Sequence, residues 1–81
     1  MELVKLNQLK KGDYLIRAKG VASVVEATRA RGDEPIIPEG IVWVKGDYDR
    51  STKRYSVSKF TDSNRESLVK GDTLVLVGFT F

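Results

Sequence analysis

Five cations and several aromatic rings share the stretch Ile41 to Phe60 (IVWVKGDYDRSTKRYSVSKF). Lys45, Arg50, Lys53, Arg54 and Lys59 stand there against Asp47 and Asp49. That surplus accounts for the whole net charge of +3, because the other 61 residues carry nine basic and nine acidic side chains. Ammonium and guanidinium groups neutralise phosphates, and the rings of Trp43, Tyr48 and Tyr55 offer flat apolar faces to nucleobases. A charge excess confined to one aromatic segment therefore points to an anionic partner.

Other chemistry is harder to build from this composition. The chain has no histidine and no cysteine. Histidine is the usual acid–base group and metal ligand near neutral pH, so the common nucleophile–base pairs and zinc sites are excluded. Disulfides and thiolate metal sites are excluded with them. No phosphate-cradling glycine loop is present. The expectation is a protein without catalytic activity, resident metal or cofactor.

Eighty-one residues make one small domain, 1–81, with a single modest core. No apolar run approaches the ~20 residues of a transmembrane helix. The start Met1-Glu2-Leu3-Val4-Lys5 lacks the basic-then-apolar order of a secretory leader. These features are read as a cytoplasmic protein with no membrane partner.

Four tripeptides of one type punctuate the chain: Lys11-Gly12-Asp13, Arg31-Gly32-Asp33, Lys45-Gly46-Asp47 and Lys70-Gly71-Asp72. Glycine takes positive φ and aspartate bonds local amides, so such units favour turns and bulges. The first and last are expected to launch strands, Tyr14 to Ala18 and Thr73 to Phe79, the latter buried on both faces. A short turn or 3₁₀ segment is expected around Leu6 to Leu9. Ile41 to Tyr48 and Lys53 to Phe60 read as a hairpin joined by Asp49-Arg50-Ser51-Thr52. Val21 to Arg29 reads as a strand because its β-branched residues prefer one. A helix at 21–29, with Val21, Val24, Val25 and Thr28 on one face, is the alternative. Arg31 to Gly40 and Asp62 to Glu66 read as loops, the second opening into a helical turn at Ser67 and Leu68.

These elements predict an all-β fold: a small, strongly bent antiparallel sheet or barrel of about five strands. The α+β alternative follows if 21–29 is helical. Leu6, Leu9, Gly12, Asp13 and Leu15 form a Leu-x-x-Leu-x-x-Gly-Asp-x-Leu pattern. It resembles the opening motif of many small bacterial and phage β-barrels, Src-homology-type barrels among them. The stretch Tyr48 to Tyr55 and the ending Gly78-Phe79-Thr80-Phe81 are similar to short proteins of bacterial or mobile-element origin. The likeness skips Gly20 to Gly40. It implies a fold and carries no activity.

With Tyr48 opposite Lys53 and Val44 opposite Val57, Val42, Val44, Tyr55 and Val57 would face the core. Trp43, Lys45, Asp47, Arg54, Ser56, Ser58 and Phe60 would face outward. The candidate interface is then Trp43, Lys45, Arg50, Lys53, Arg54 and Lys59, taking single-stranded DNA or RNA by stacking and phosphate neutralisation. A protein–protein adaptor or structural module using the same hairpin is the alternative. In a purely structural reading, Trp43 and Phe60 cover a second core with Ile36 and Ile37, and Asp47 pairs with Arg54. Arg31-Gly32-Asp33 also matches the adhesion tripeptide, a three-residue match that chance supplies. Asp33, Glu34 and Glu39, and separately Asp62, Asn64 and Glu66, are sparse oxygen sets without the geometry of a calcium loop. Asp13, Tyr14 and Arg17 form another polar group, in which Asp13 is expected to cap its own turn. The terminal Phe79 and Phe81 are expected to point the same way, with Phe81 closing the barrel or docking on a second subunit.

Overall fold

The computed structural model describes residues 2–18, 20–22, 24 and 37–79. They form one antiparallel sheet of six strands. The strands are β1 (Glu2–Lys5), β2 (Tyr14–Ile16), β3 (Val42–Asp49), β4 (Arg54–Lys59), β5 (Asp62–Val69) and β6 (Leu74–Val77). Their spatial order is β1-β6-β2-β3-β4-β5. The all-β antiparallel expectation holds, with six strands in place of about five. The sheet is open, with β1 and β5 at its two ends, so a closed barrel is not formed.

Local sequence explains the turns. A 3₁₀ turn at Leu6–Gln8 follows β1 and buries Leu6. The Lys11-Gly12-Asp13 unit then launches β2. Gly12 sits at φ +93°, where a side chain would be strained. Asp13 accepts the Lys10 amide at 2.8 Å and so caps its own turn. The Lys70-Gly71-Asp72 unit launches β6 in the same manner, with Thr73 donating to the Lys70 carbonyl. Lys45-Gly46-Asp47 does something different. It lies inside β3 as a bulge, with Gly46 and Asp47 opposite Ser56 alone. A Cβ on Gly46 would overlap Ser56 Oγ, so glycine lets β4 approach at that point. Arg31-Gly32-Asp33 lies outside the described residues, as do Asp33, Glu34 and Ile36.

Each face of the sheet carries a buried cluster. Leu6, Leu15, Val57, Val69 and Val75 form one buried cluster, with Trp43 and Tyr55 packed against it. Ile16, Val24, Ile37, Val42 and Leu76 form the other. Consecutive residues alternate between the two, as Leu15 and Ile16 or Val75 and Leu76 do. β6, second from one end of the sheet, is thus buried on both faces at Val75 and Leu76, as its apolar run predicts, whereas Leu74 at its start is exposed.

Three expectations need correction. Within 21–29, the described residues Val21, Ala22 and Val24 are helical, not extended; 23 and 25–29 lie outside the description. The Val21 amide donates to the Arg17 carbonyl at 3.0 Å, and the three-residue spacing of Val21 and Val24 turns both toward the second cluster. Burial there overrides β propensity. Asp62 to Val69 is a full strand, not a loop: pairing along β4 supplies the order that its polar sequence conceals. Glu2–Lys5, unassigned from sequence, is an edge strand paired to β6.

Candidate nucleic-acid interface

The register builds the site. Leu15 on β2, Trp43 on β3 and Lys59 on β4 stand in one cross-strand row. Arg17, two residues beyond Leu15, shares their face. Its guanidinium lies over the Trp43 ring, 5.0 Å from the centroid. Its Nη1 donates to Ser67 Oγ on β5 at 3.0 Å. β2 and β5 are three strand spacings apart, roughly 14 Å on a flat sheet. One arginine bridges them because the sheet curls around this face. The expected strong bend is therefore present without closure.

Curling leaves a cavity of about 380 Å³ lined by Arg17, Trp43, Lys59, Ile41, Val69 and Val75 among others. The ring of Trp43 is partly buried in its wall. Arg17 and Lys59 meet no carboxylate at ion-pair distance among the described residues, where the ion pairs are Lys11–Asp47 and Arg65–Asp62. Two uncompensated cations beside an indole and an apolar wall favour a planar anion.

The remaining sequence-derived residues scatter. Lys45 is 5% exposed, so its outward placement is corrected. Lys45 opposes Val57 across the sheet, not Ser56, so it turns inward with the core. Its ammonium donates to the Leu9 carbonyl and lies 4.2 Å from the centre of the Tyr55 ring. Desolvation lowers its pKa below the ordinary lysine value, and Asp13 partly offsets this. Arg50, Lys53 and Arg54 are exposed at the hairpin tip. There Asp49 accepts hydrogen bonds from the Ser51 amide at 3.1 Å, Ser51 Oγ at 2.8 Å and Thr52 Oγ1 at 3.0 Å. These bonds hold the Asp49 carboxyl below its usual pKa. Lys53 takes the left-handed conformation at φ 57° that reverses the chain. Arg54 and Lys59 are five residues apart on β4, roughly 17 Å at strand rise. The expected interface is therefore divided: Trp43 and Lys59 at the base, three cations at the tip, Lys45 inside.

The side-chain pairs change as well. Tyr48 stands opposite Tyr55, not Lys53, with ring centroids 4.9 Å apart. Asp47 pairs with Lys11 at 3.0 Å in place of Arg54. Phe60 belongs to the opposite face from Trp43 and meets Tyr14 edge-on, centroids 5.7 Å apart. The second core contains Ile37 but not Trp43. Tyr14 and Arg17 face opposite sides of β2, so they assemble no common site with Asp13. Asp62 Oδ1 accepts the Asn64 amide at 3.1 Å, and no group able to hold a metal occurs among the described residues. Phe79 packs on the second cluster, whereas Phe81 lies outside the description.

Sequence reasoning missed Arg17 and Ser67 as members of the site. Alternation from the buried Leu15 carries Arg17 onto the face of Trp43, a signal that was available. Ser67 offered none, because its strand was hidden by polar composition. No helix among the described residues is long and apolar enough to cross a membrane.

Fold and site together define a small, curled antiparallel β protein with a cationic, aromatic cavity. No family model, curated protein or solved structure matches the chain.

Proposed function

We propose that the chain is a non-catalytic nucleic-acid-binding module, acting in the cytoplasm on single-stranded DNA or RNA. The observation that carries this reading is the Arg17 guanidinium over the Trp43 ring in a cavity that Lys59 also lines, with neither cation in an ion pair among the described residues. Stacking surfaces next to a positive groove are what strand binders use. A base stacks on the outer face of the guanidinium or on the exposed edge of the indole, and Lys59 takes the adjoining phosphate. Arg50, Lys53 and Arg54 neutralise phosphates farther along the strand, toward the hairpin tip. Lys45, donating to Leu9, supports the fold beneath them.

The test is oligonucleotide binding measured against salt. Affinity should fall steeply as salt rises, and fall again in Lys59→Glu and Arg54→Glu. Absence of binding at low salt sinks the proposal.

One observation favours a second reading, a protein–protein adaptor. The outer edge of β5, eight residues long, pairs with no other strand among the described residues. Such an edge accepts an added strand. Co-purification of a protein partner together with indifference to oligonucleotides would favour it.

A further inference from the structure

Resting on the nucleic-acid reading, we infer that the Arg17–Trp43–Lys59 cavity is a pocket for one nucleotide unit whose phosphate is terminal. Its volume, about 380 Å³, lies at the lower end of small-ligand pockets, which run from about 300 to 1,000 Å³. That is room for one base, sugar and phosphate, not for a longer stretch of strand. Ile41, Val69, Val75 and Trp43 give it apolar walls suited to a base.

Charge specifies the rest of the ligand. A phosphodiester within a strand carries one negative charge, whereas a phosphomonoester carries about −1.5 to −2 near neutral pH. Arg17 and Lys59 both line the cavity, without a carboxylate at ion-pair distance among the described residues. Two cations match the monoester. Arg17 donates one N–H to Ser67 while lying over the indole, which leaves further guanidinium N–H groups for phosphate oxygens. A free nucleoside monophosphate and the phosphorylated end of a strand share this chemistry.

Trp43 is the chain's one tryptophan, so its fluorescence reports directly on the cavity wall. The protein is titrated with uridine 5′-monophosphate, uridine, inorganic phosphate, and one oligonucleotide with and without a 5′-phosphate. The expected result is a Trp43 response to the monophosphate at least about tenfold more sensitive than to uridine or phosphate alone. Lys59→Gln should weaken it about tenfold. Ala18→Phe, which adds bulk at a residue lining the cavity and leaves both cations in place, should abolish it; an unchanged response in this variant overturns the pocket.

A response to the phosphorylated oligonucleotide with the free monophosphate silent assigns the pocket to strand ends. The reverse assigns it to free nucleotides and removes the strand-binding function. Equal binding of both oligonucleotides, with a silent monophosphate, overturns the pocket and leaves the strand-binding function standing. Inorganic phosphate matching the monophosphate overturns the role of the base. Silence toward every ligand at low salt overturns both proposals together.

Discussion

The guanidinium of Arg17 rests on the ring of Trp43, 5.0 Å from its centroid, and is held there by a hydrogen bond to Ser67. This contact joins β2, β3 and β5, so it belongs to the curl of the sheet as much as to the surface chemistry. The indole is thereby a platform already occupied by a cation. A ligand must stack on that cation or slide it aside.

Truncating Arg17 separates these roles. Arg17→Ala should lower stability by about 0.5–1 kcal/mol, the usual worth of an exposed cation–π contact. It should also shift Trp43 emission toward that of a wetter indole. Denaturant unfolding and fluorescence of the same samples check both outcomes. Unchanged emission would mean that the arginine does not cover the ring.

The division of the cations between base and tip predicts a graded salt response. Each phosphate contact on single-stranded nucleic acid contributes about 0.7 to the slope of log affinity against log salt. Arg50→Gln, Lys53→Gln and Arg54→Gln should each reduce the slope by about that amount, leaving the Trp43 signal at saturation unchanged. A slope that ignores the tip variants would confine binding to the cavity at the base.

The tip itself depends on pH through Asp49. Its carboxyl is held below the ordinary value of 3.8 by bonds from Ser51 and Thr52. A lowered folded-state pKa contributes stability that is present above 3.8 and lost as pH falls through the lower, folded value. Protection of the Ser51 amide from exchange, relative to its intrinsic rate at each pH, should therefore fall on acidification below that range. In Asp49→Asn the same amide should exchange with no such step. The group is exposed, so the effect should be local.

Much of the fold was legible because local rules and tertiary packing agreed. Gly12 and Gly71 stood where turns were needed, and Leu74 to Val77 stood out as an apolar strand. The site was less legible. The hairpin strands were recognised, but the turn is Arg50 to Lys53 in place of Asp49 to Thr52, which moves each partner by two. The bulge at Gly46 and Asp47 moves it back by one, so Lys45 meets Val57 and not Ser56. That is why Lys45 looked like surface and lies inside. β5 was hidden for another reason: Asp62 to Ser67 is polar because both its faces are largely exposed at the sheet's edge, so no alternation marks it. The helical residues near Val21 and Val24 show the opposite conflict, with spacing winning over β-branched propensity.

Lys45 supplies a prediction of the same sign in pH as that of Asp49, since its pKa too is lowered, but in an alkaline window. Burial lowers its pKa from 10.5, so the folded state disfavours the ammonium relative to the unfolded chain. That penalty is present at neutral pH and is relieved as pH rises from the folded value toward 10.5, a window in which the unfolded chain binds more protons. Lys45→Met removes the donor to the Leu9 carbonyl, a loss of about 1–3 kcal/mol at neutral pH. The gap between wild type and variant should widen through the alkaline window. Parallel thermal melts across that range check it; a gap that narrows would contradict the assignment.

Two neighbouring residues test whether the sheet's faces are independent. Leu15 and Ile16 are both 0% exposed, yet they point into different clusters. Truncating either to alanine removes the same number of carbons from a close-packed interior and should cost about 2–5 kcal/mol. Stability alone cannot distinguish them. Leu15 is the cross-strand partner of Trp43 and packs in the cluster against which that ring rests, whereas Ile16 faces Val42 and the helical residues beyond. In the folded state Leu15→Ala should therefore change Trp43 emission and near-ultraviolet dichroism and weaken ligand binding. Ile16→Ala should leave all three close to wild type despite a similar loss of stability. Equal effects on Trp43 from the two variants would mean that the faces communicate through the strand, and that the cavity is supported by the whole sheet, not by the Leu15 layer beneath it.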